Sequence, residues 1–184
     1  MKILSFDIGI KNLAYCVLDK NHTIYHWNVI DLMQDFDKKT KITTDKLADI
    51  IFEKLTPLKE ILDVDFIVLE NQPSMKNPKM KTVQIILLSF FVARRRELGL
   101  KYSIDCFLPR NKLDVYKGEK RQEIIDSITC KSVYSRTKKM SIEFCKDMII
   151  NQPDKLEFFK NCKKKDDLAD SFIQGASFFY KKKI

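Results

Sequence analysis

Short apolar runs dominate the first third of the chain. Residues 2–8, 13–19 and 23–31 are rich in β-branched and aromatic side chains and are separated by short polar turns, so the pattern predicts three strands. Parallel neighbours would need a long crossover, and the short spacing therefore predicts an antiparallel meander. Gly9 lies in the first turn, where a positive φ or a close backbone approach costs little.

The rest of the chain alternates between helical and strand patterns. Apolar residues at three- and four-residue spacing predict a helix over 43–61 with a break near Pro57. The continuous apolar run 65–70 is typical of a central strand that is covered on both faces. Further patterns predict a helix over 80–98, a strand over 102–108, a weak helix over 119–129, and helical segments over 138–150, 156–160 and 166–181. The polar stretch 110–137 fits either an ordinary connection or a substrate-binding insertion.

Length and charge narrow the class of protein. The 184 residues show no internal repeat, which predicts a single domain over 1–184. Lys and Arg total 34 against 25 Asp and Glu, and the net charge of +9 favours a polyanionic partner. A Lys-rich surface that only confers solubility explains the charge equally well.

Cysteine usage and hydropathy bear on the compartment. The five cysteines are widely spaced and include no CxxC pair, which favours a reduced, intracellular protein and argues against a zinc site. Met1 runs directly into the first predicted strand, so neither a signal peptide nor a transit peptide is expected. No apolar stretch reaches the roughly 20 residues that span a bilayer, so no membrane association is expected.

Four carboxylates stand at positions that the predicted elements could bring together. Asp7 ends the first strand and Glu70 ends the buried fourth strand; if these strands are neighbours, the two side chains lie within one or two strand spacings of about 4.8 Å. Asp167 and Asp170 project from one face of the last helix, whereas Asp166 is rotated about 100° away and is the weaker candidate.

Such a cluster suits hard divalent cations. Mg²⁺ prefers oxygen ligands and leaves positions open for water and phosphate oxygens. Two ions about 3.5–4 Å apart can activate a water and stabilise the leaving oxygen in phosphodiester cleavage. Because the carboxylates must be deprotonated to bind metal, their affinity for the ions should decrease as the pH is lowered. Taken singly, each acid also fits a plainer role in shaping a turn, pairing with a lysine, or beginning a helix.

Three motifs carry a family resemblance. Phe6-Asp7-Ile8-Gly9-Ile10-Lys11-Asn12, Leu69-Glu70-Asn71-Gln72-Pro73 and Lys165-Asp166-Asp167-Leu168-Ala169-Asp170-Ser171-Phe172 resemble, in this order, motifs of the RuvC-type branch of the RNase H-like superfamily. The chain most resembles the poxvirus-type Holliday junction resolvases. The resemblance implies an α/β fold whose mixed five-stranded sheet has three antiparallel strands and then two parallel ones, flanked by helices. It also implies a homodimer that nicks four-way DNA junctions in pairs and, if the protein is viral, works in the host cytoplasm or nucleus.

The resemblance also implies roles for particular residues. Asp7, Glu70, Asp167 and Asp170 would be metal ligands and catalytic residues, holding two Mg²⁺ ions for which Mn²⁺ can substitute. Lys138 or Lys139 would be the basic residue that the viral relatives place near the site. Candidate DNA-binding residues are Lys11, Asn12, Arg110, Lys112 and Arg136. A solvated helix face is the plainer explanation of the two neighbouring lysines.

The predicted helix 80–98 gives a second reason to expect a homodimer. Apolar residues wrap most of the circumference of the predicted helix 80–98, and a helix that is apolar all round must be covered on more than one side. A two-fold partner could cover the side that faces away from the sheet, with Phe90 or Phe91 facing outward. A neighbouring helix of the same chain could equally cover it.

Three other classes of protein share some of these sequence features. Actin-like nucleotide-binding folds also begin with strand-Asp-x-Gly, but they need glycine-rich phosphate loops. The four glycines here are scattered, so no nucleotide cofactor is expected. A ribonuclease acting on RNA–DNA hybrids would use the same acids, and a non-catalytic protein that binds branched DNA would need none of them. The sequence leaves both of these open.

Overall fold

A five-stranded mixed sheet organises the chain, with the strands in the order β3-β2-β1-β4-β5. The computed structural model describes residues 1–37, 41–75, 77–108, 111–130 and 132–183. The strands are β1 (Lys2–Asp7), β2 (Asn12–Asp19), β3 (Ile24–Asp31), β4 (Phe66–Glu70) and β5 (Ser103–Phe107). The antiparallel pairs β1–β2 and β2–β3 come first, and the parallel pairs β1–β4 and β4–β5 follow. The predicted fold class is therefore confirmed.

The helices lie close to the predicted segments. They are α1 (Thr44–Leu55), α2 (Pro78–Glu97), α3 (Arg121–Ser127), α4 (Val133–Met148), α5 (Pro153–Asn161) and α6 (Lys165–Lys182), with short 3-10 helices at Lys59–Leu62 and Lys112–Val115. The largest difference is at α4, which begins five residues before the predicted start. Ser132 caps this helix by accepting a hydrogen bond from the Ser135 backbone at 3.1 Å. Among the described residues, no helix is long and apolar enough to cross a membrane.

The sheet separates two apolar layers. Residues such as Ile3, Cys16 and Val68 face α6, whereas the alternate residues Leu4 and Leu69 face α1 and α2. Both faces of β1 and β4 are buried, which explains the continuous apolar runs of these strands. The central strands are consequently held from both sides, and the residues at their ends are held with them.

The outer surface of α2 differs from the sequence expectation. Phe90 and Phe91 are both buried, so neither faces outward as predicted. Phe90 packs edge-on against Phe52 of α1 at 4.9 Å between ring centroids. The large apolar residue that α2 exposes is Ile85, whose exposed fraction is 52%. Intrachain packing against α1 and the sheet therefore takes up the aromatic part of the helix and leaves a narrower apolar surface.

Candidate active site

The ends of β1 and β4 bring Asp7 and Glu70 together. The two strands are parallel, with Phe6 in register with Leu69, so the next residues along the two strands are Asp7 and Glu70. The chain turns sharply after Asp7. A Cβ on Gly9 would lie only 2.2 Å from the carbonyl oxygen of Asn12, so the close approach, and not a positive φ, requires glycine here.

Helix α6 brings Asp167 and Asp170 to the same place. The indole of Trp27 on β3 donates to the Leu168 carbonyl at 3.1 Å, which fixes the first turn of α6 against the sheet. The Gln174 amide donates to the Phe6 carbonyl at 2.9 Å and ties the second half of the helix to β1. A Cβ on Gly175 would lie 2.5 Å from the Leu18 side chain, so glycine allows the close packing of helix on sheet.

All four carboxylates line one cleft of about 480 Å³. The other residues that line it come from the β1–β2 turn, the segment after β4, the start of α2, the second 3-10 helix and α4: Ile8, Gln72, Asn77, Met80, Lys112, Tyr134, Thr137 and Lys138. The sequence separations are large, but the folded chain places these side chains around one concave surface. Concave, charged sites of this kind are where substrates bind.

Burial and the nearby acids raise the pKa of three of these carboxyl groups. Burial, together with the nearby Asp170 and Glu70, raises the pKa of Asp7 well above its usual value. Burial also raises the pKa of Glu70, although Lys112 and a hydrogen bond from Gln72 at 2.6 Å oppose the shift. Burial and Asp166 raise the pKa of Asp167. Perturbed acids that gather in a cleft are a physical signature of a functional site.

The carboxylate oxygens of the cleft are ligands of the kind that a hard divalent cation prefers, although their present positions do not form a coordination shell. Asp167 Oδ2 is buried and, among the described residues, has no hydrogen-bond partner. Asp170 Oδ1 is held by Lys112 at 2.9 Å and by the Ser141 hydroxyl at 2.7 Å. No group of three or more His, Cys, Asp or Glu side chains in the described ranges is arranged to hold a metal ion. An ion would therefore compensate the orphaned oxygen and the mutual repulsion, after a shift of Lys112 from Asp170.

Lys138 and Lys139 occupy different environments. Lys138 lines the cleft and donates to Asp166 at 2.6 Å. The hydrogen bond to Asp166 raises the pKa of Lys138, and the nearby Tyr134 adds to the shift. Burial acts to raise the pKa of Asp166, but the hydrogen bond and the charge of Lys138, together with hydrogen bonds from backbone amides, outweigh burial and lower the pKa overall. Lys139 is exposed and does not line the cleft.

The predicted DNA-binding residues are divided among several surfaces. Lys112 lies in the cleft itself, which sequence reasoning did not predict. Lys11 and Asn12 line an adjoining groove of about 730 Å³, which also contains Lys163 and Lys164. Arg136 lies apart from the cleft and donates to the Ile125 carbonyl at 3.3 Å. Arg110 lies outside the described residues. The roles of all these residues stay predictions.

Three solved structures share this architecture. The yeast mitochondrial Holliday junction resolvase Ydc2 has a TM-score of 0.65 at 20% identity, over 96% of this chain and 78% of its own. The fowlpox virus resolvase, solved with Holliday junction DNA, has a TM-score of 0.61 at 22% identity, over 98% of both chains. RuvC from Thermus thermophilus, also solved with a Holliday junction substrate, has a TM-score of 0.61 at 11% identity, over 99% of this chain and 96% of its own. The fold is therefore that of the RuvC-like, RNase H-like class.

Sequence relatives narrow this class. A model of the poxvirus A22 protein family matches residues 1–128, and the chain belongs to that family. Uncharacterized protein L451 of Acanthamoeba polyphaga mimivirus is 32% identical over 143 residues, which are 73% of this chain. The match covers 34% of the mimivirus protein, so the chain spans about a third of that relative's length. The resemblance inferred from the three motifs is thus confirmed; Asp7 and Glu70 lie inside the family match, and Asp167 and Asp170 lie beyond it.

Proposed function

We propose that the protein is a metal-dependent endonuclease that resolves four-way DNA junctions by paired nicks. The observation that carries this proposal is the convergence of four carboxylates, from β1, β4 and α6, on one cleft of a RuvC-like fold. Membership of the poxvirus A22 family and the likeness to three Holliday junction resolvases support it. The net charge of +9 suits a DNA substrate.

Asp7, Glu70, Asp167 and Asp170 would hold two Mg²⁺ ions, or Mn²⁺ in their place. The ions would supply charge stabilisation at the scissile phosphate and an activated water. The chain's own part is to position the carboxylates and the nearby cations. The Lys112 ammonium, which now neutralises Asp170, and the Lys138 ammonium, held by Asp166, would then contact phosphate oxygens and favour the charge that develops there.

Basic and amide side chains around the cleft would hold the arms of the junction through phosphates. Lys11 and Asn12 line a second groove, together with Lys163 and Lys164. Arg136 and Arg110 are also proposed to contact phosphates. Such contacts read no sequence, so affinity should fall steeply as salt concentration rises.

We further propose that the chain forms a homodimer through α2, because two nicks at opposed strands need two sites. Ile85 is the large apolar residue that this helix exposes, so Ile85→Glu should convert dimers to monomers in sedimentation equilibrium. Ile150→Glu is the matched control, because Ile150 is similarly exposed, at 54%, but lies after α4. A mass that is the same for both variants would contradict dimerisation through this surface.

The remaining proposals concern organisation and compartment. We treat residues 1–184 as one resolvase domain, which corresponds to about a third of the mimivirus relative. The described cysteines Cys16, Cys106, Cys130, Cys145 and Cys162 are all free thiols, which supports an intracellular, reducing compartment.

The proposal is tested by offering purified protein with Mg²⁺ a synthetic four-way junction, a flap, a linear duplex and an RNA–DNA hybrid. We expect symmetric paired nicks in the junction and little cutting of the linear duplex. Asp7→Asn should bind the junction without cutting it. Preferred cutting of the hybrid would instead indicate a ribonuclease, and junction binding without any cutting by the wild type would indicate a non-catalytic protein.

A further inference from the structure

An exposed aromatic residue stands at the rim of the carboxylate cleft. Tyr134 lines the cleft together with Asp7, Glu70 and Lys138, yet 69% of its surface is exposed. Its neighbour Val133 is 84% exposed. Tyr134 and Val133 together expose apolar surface beside a charged cleft, and nothing in the described chain covers them. Exposed apolar patches of this kind often mark binding sites.

The ring is held in place although it is exposed. Tyr134 lies in the first turn of α4, which Ser132 caps and in which the Thr137 hydroxyl donates to the Val133 carbonyl at 3.0 Å. The Lys138 ammonium lies 5.1 Å from the centroid of the Tyr134 ring. The ring is therefore presented to solvent from a helix and not from a flexible loop, with a cation beside it.

The surroundings indicate what would cover this ring. The Lys138 ammonium lies beside the ring, and Lys112 lines the same cleft. Aromatic side chains interleaved with cations are typical of surfaces that bind unpaired nucleic acid strands. The ring also shares its cleft with the carboxylates. A strand whose phosphate reaches Asp7 and Asp170 therefore carries the attached base past this position.

We propose that Tyr134 is a base-stacking residue, whose ring receives the nucleobase next to the phosphate that is cut. This inference rests on the proposed function and adds a selection step to it. Bases at the branch point of a junction are the easiest to unstack, whereas a base inside a continuous duplex must first be freed from its neighbours. Stacking on Tyr134 would therefore favour branched DNA without reading its sequence.

The test measures affinity for a synthetic four-way junction by fluorescence anisotropy, without divalent metal so that no cutting occurs. Tyr134→Ala should weaken binding by about tenfold to a hundredfold, the range found when one stacking ring is removed. Tyr134→Phe keeps the ring and should bind within about twofold of wild type. Tyr180→Ala is the control, since Tyr180 is also exposed, at 52%, but lies near the far end of α6.

Single abasic sites placed around the branch point complete the experiment. Removing the base that stacks on Tyr134 should weaken wild-type binding as much as Tyr134→Ala does, and combining the two changes should cost little more. Losses that add at every abasic position would overturn the proposal. So would a Tyr134→Phe variant as weak as Tyr134→Ala, since the hydroxyl would then matter instead of the ring.

Cleavage of the same junctions by wild-type protein separates this inference from the function beneath it. If wild type cuts the junction and the abasic losses add, only the stacking role is wrong. If wild type neither binds nor cuts the junction, the proposed function fails and the stacking role fails with it. A change in oligomeric state on Tyr134→Ala would show that a second copy of the chain covers the ring, and would also overturn the proposal.

Discussion

The parallel strands β1 and β4 have acidic residues near both of their ends. Where β4 is about to begin, Asp63 pairs with the Lys2 ammonium at 2.6 Å, and Asp65 accepts a hydrogen bond from the Lys2 backbone at 2.8 Å. The hydrogen bond from Lys2 lowers the pKa of Asp63. Where the strands finish, burial and crowding raise the pKa of Asp7 and of Glu70 instead.

The difference separates structural acids from functional ones. The acids before β4 each have a partner supplied by the start of β1, which fixes the register of the two strands. Asp7 and Glu70, at the other ends of the strands, instead have acids of α6 as neighbours. One acid of α6, Asp167, has a buried oxygen that lacks a partner among the described residues. Folded proteins tolerate such local conflict where a ligand relieves it.

Cleavage should distinguish the two ends most strongly. Asp170→Asn and Glu70→Gln remove ligands from the cleft, and we expect junction cutting to fall by at least about a thousandfold. Asp63→Asn and Asp65→Asn make the same kind of change at the opposite end and should cut within about twofold of wild type. The measurement is single-turnover cutting of a labelled four-way junction with Mg²⁺. Comparable losses at both ends would show that the two sets of acids do not differ in role.

A smaller effect should separate Lys138 from Lys139. Lys138 lies in the cleft, so Lys138→Ala should slow cutting by about tenfold to a hundredfold, as expected when one charge-stabilising group is lost. Lys139 is exposed beside it, and Lys139→Ala should change the rate by about twofold or less. Lys138→Arg keeps the charge and should recover part of the activity. Equal cutting rates for the two alanine variants would show that Lys138 has no special role in catalysis.

The smallest effect concerns stability. Because the folded protein raises the pKa of Asp7 above the unfolded value of 3.8, ionised Asp7 opposes folding at neutral pH. Asp7→Asn should therefore increase the free energy of unfolding in the absence of metal, by the roughly 0.5–2 kcal/mol usual for a stabilising substitution. The gain should shrink as the pH falls through the folded pKa and disappear below 3.8, where Asp7 is protonated in both states.

Urea denaturation at several pH values measures this difference. Asp63→Asn is the matched control and should bring no gain, because the charge of Asp63 is favourably paired with Lys2. An Asp7→Asn variant that is less stable than wild type at neutral pH would contradict the account of crowding.

Local patterns predicted most of the fold. The apolar runs and short turns of the first 31 residues define β1, β2 and β3 within one or two residues, because strand period and turn spacing are local properties. The start of α4 was missed because its first turn is exposed and has no apolar residue packed on the core, so only the Ser132 cap indicates it. The outward face of α2 was misjudged because Phe90 packs on Phe52 of α1 and Phe91 packs on Phe6 of β1, which are contacts between distant segments.

The candidate site, like the fold, could be predicted only in part from the sequence. The four acids could be predicted because each ends a strand or begins a helix, where position follows from the element. The sequence could not predict that Lys112 would pair with Asp170, or that Asp166 would pair with Lys138. These contacts join residues 58 and 28 positions apart, across segments whose path only the folded chain defines.

The most direct test of the central claim is the binding of Mn²⁺ itself, followed by titration calorimetry without DNA. Wild-type protein should bind Mn²⁺ saturably, with an affinity that falls as the pH is lowered, because protons compete for the same oxygens. Asp7→Asn and Asp170→Asn should lose this binding, and Asp63→Asn should keep it. Saturable binding that survives both cleft substitutions, or its absence from the wild-type protein, would contradict a metal site at the ends of β1 and β4.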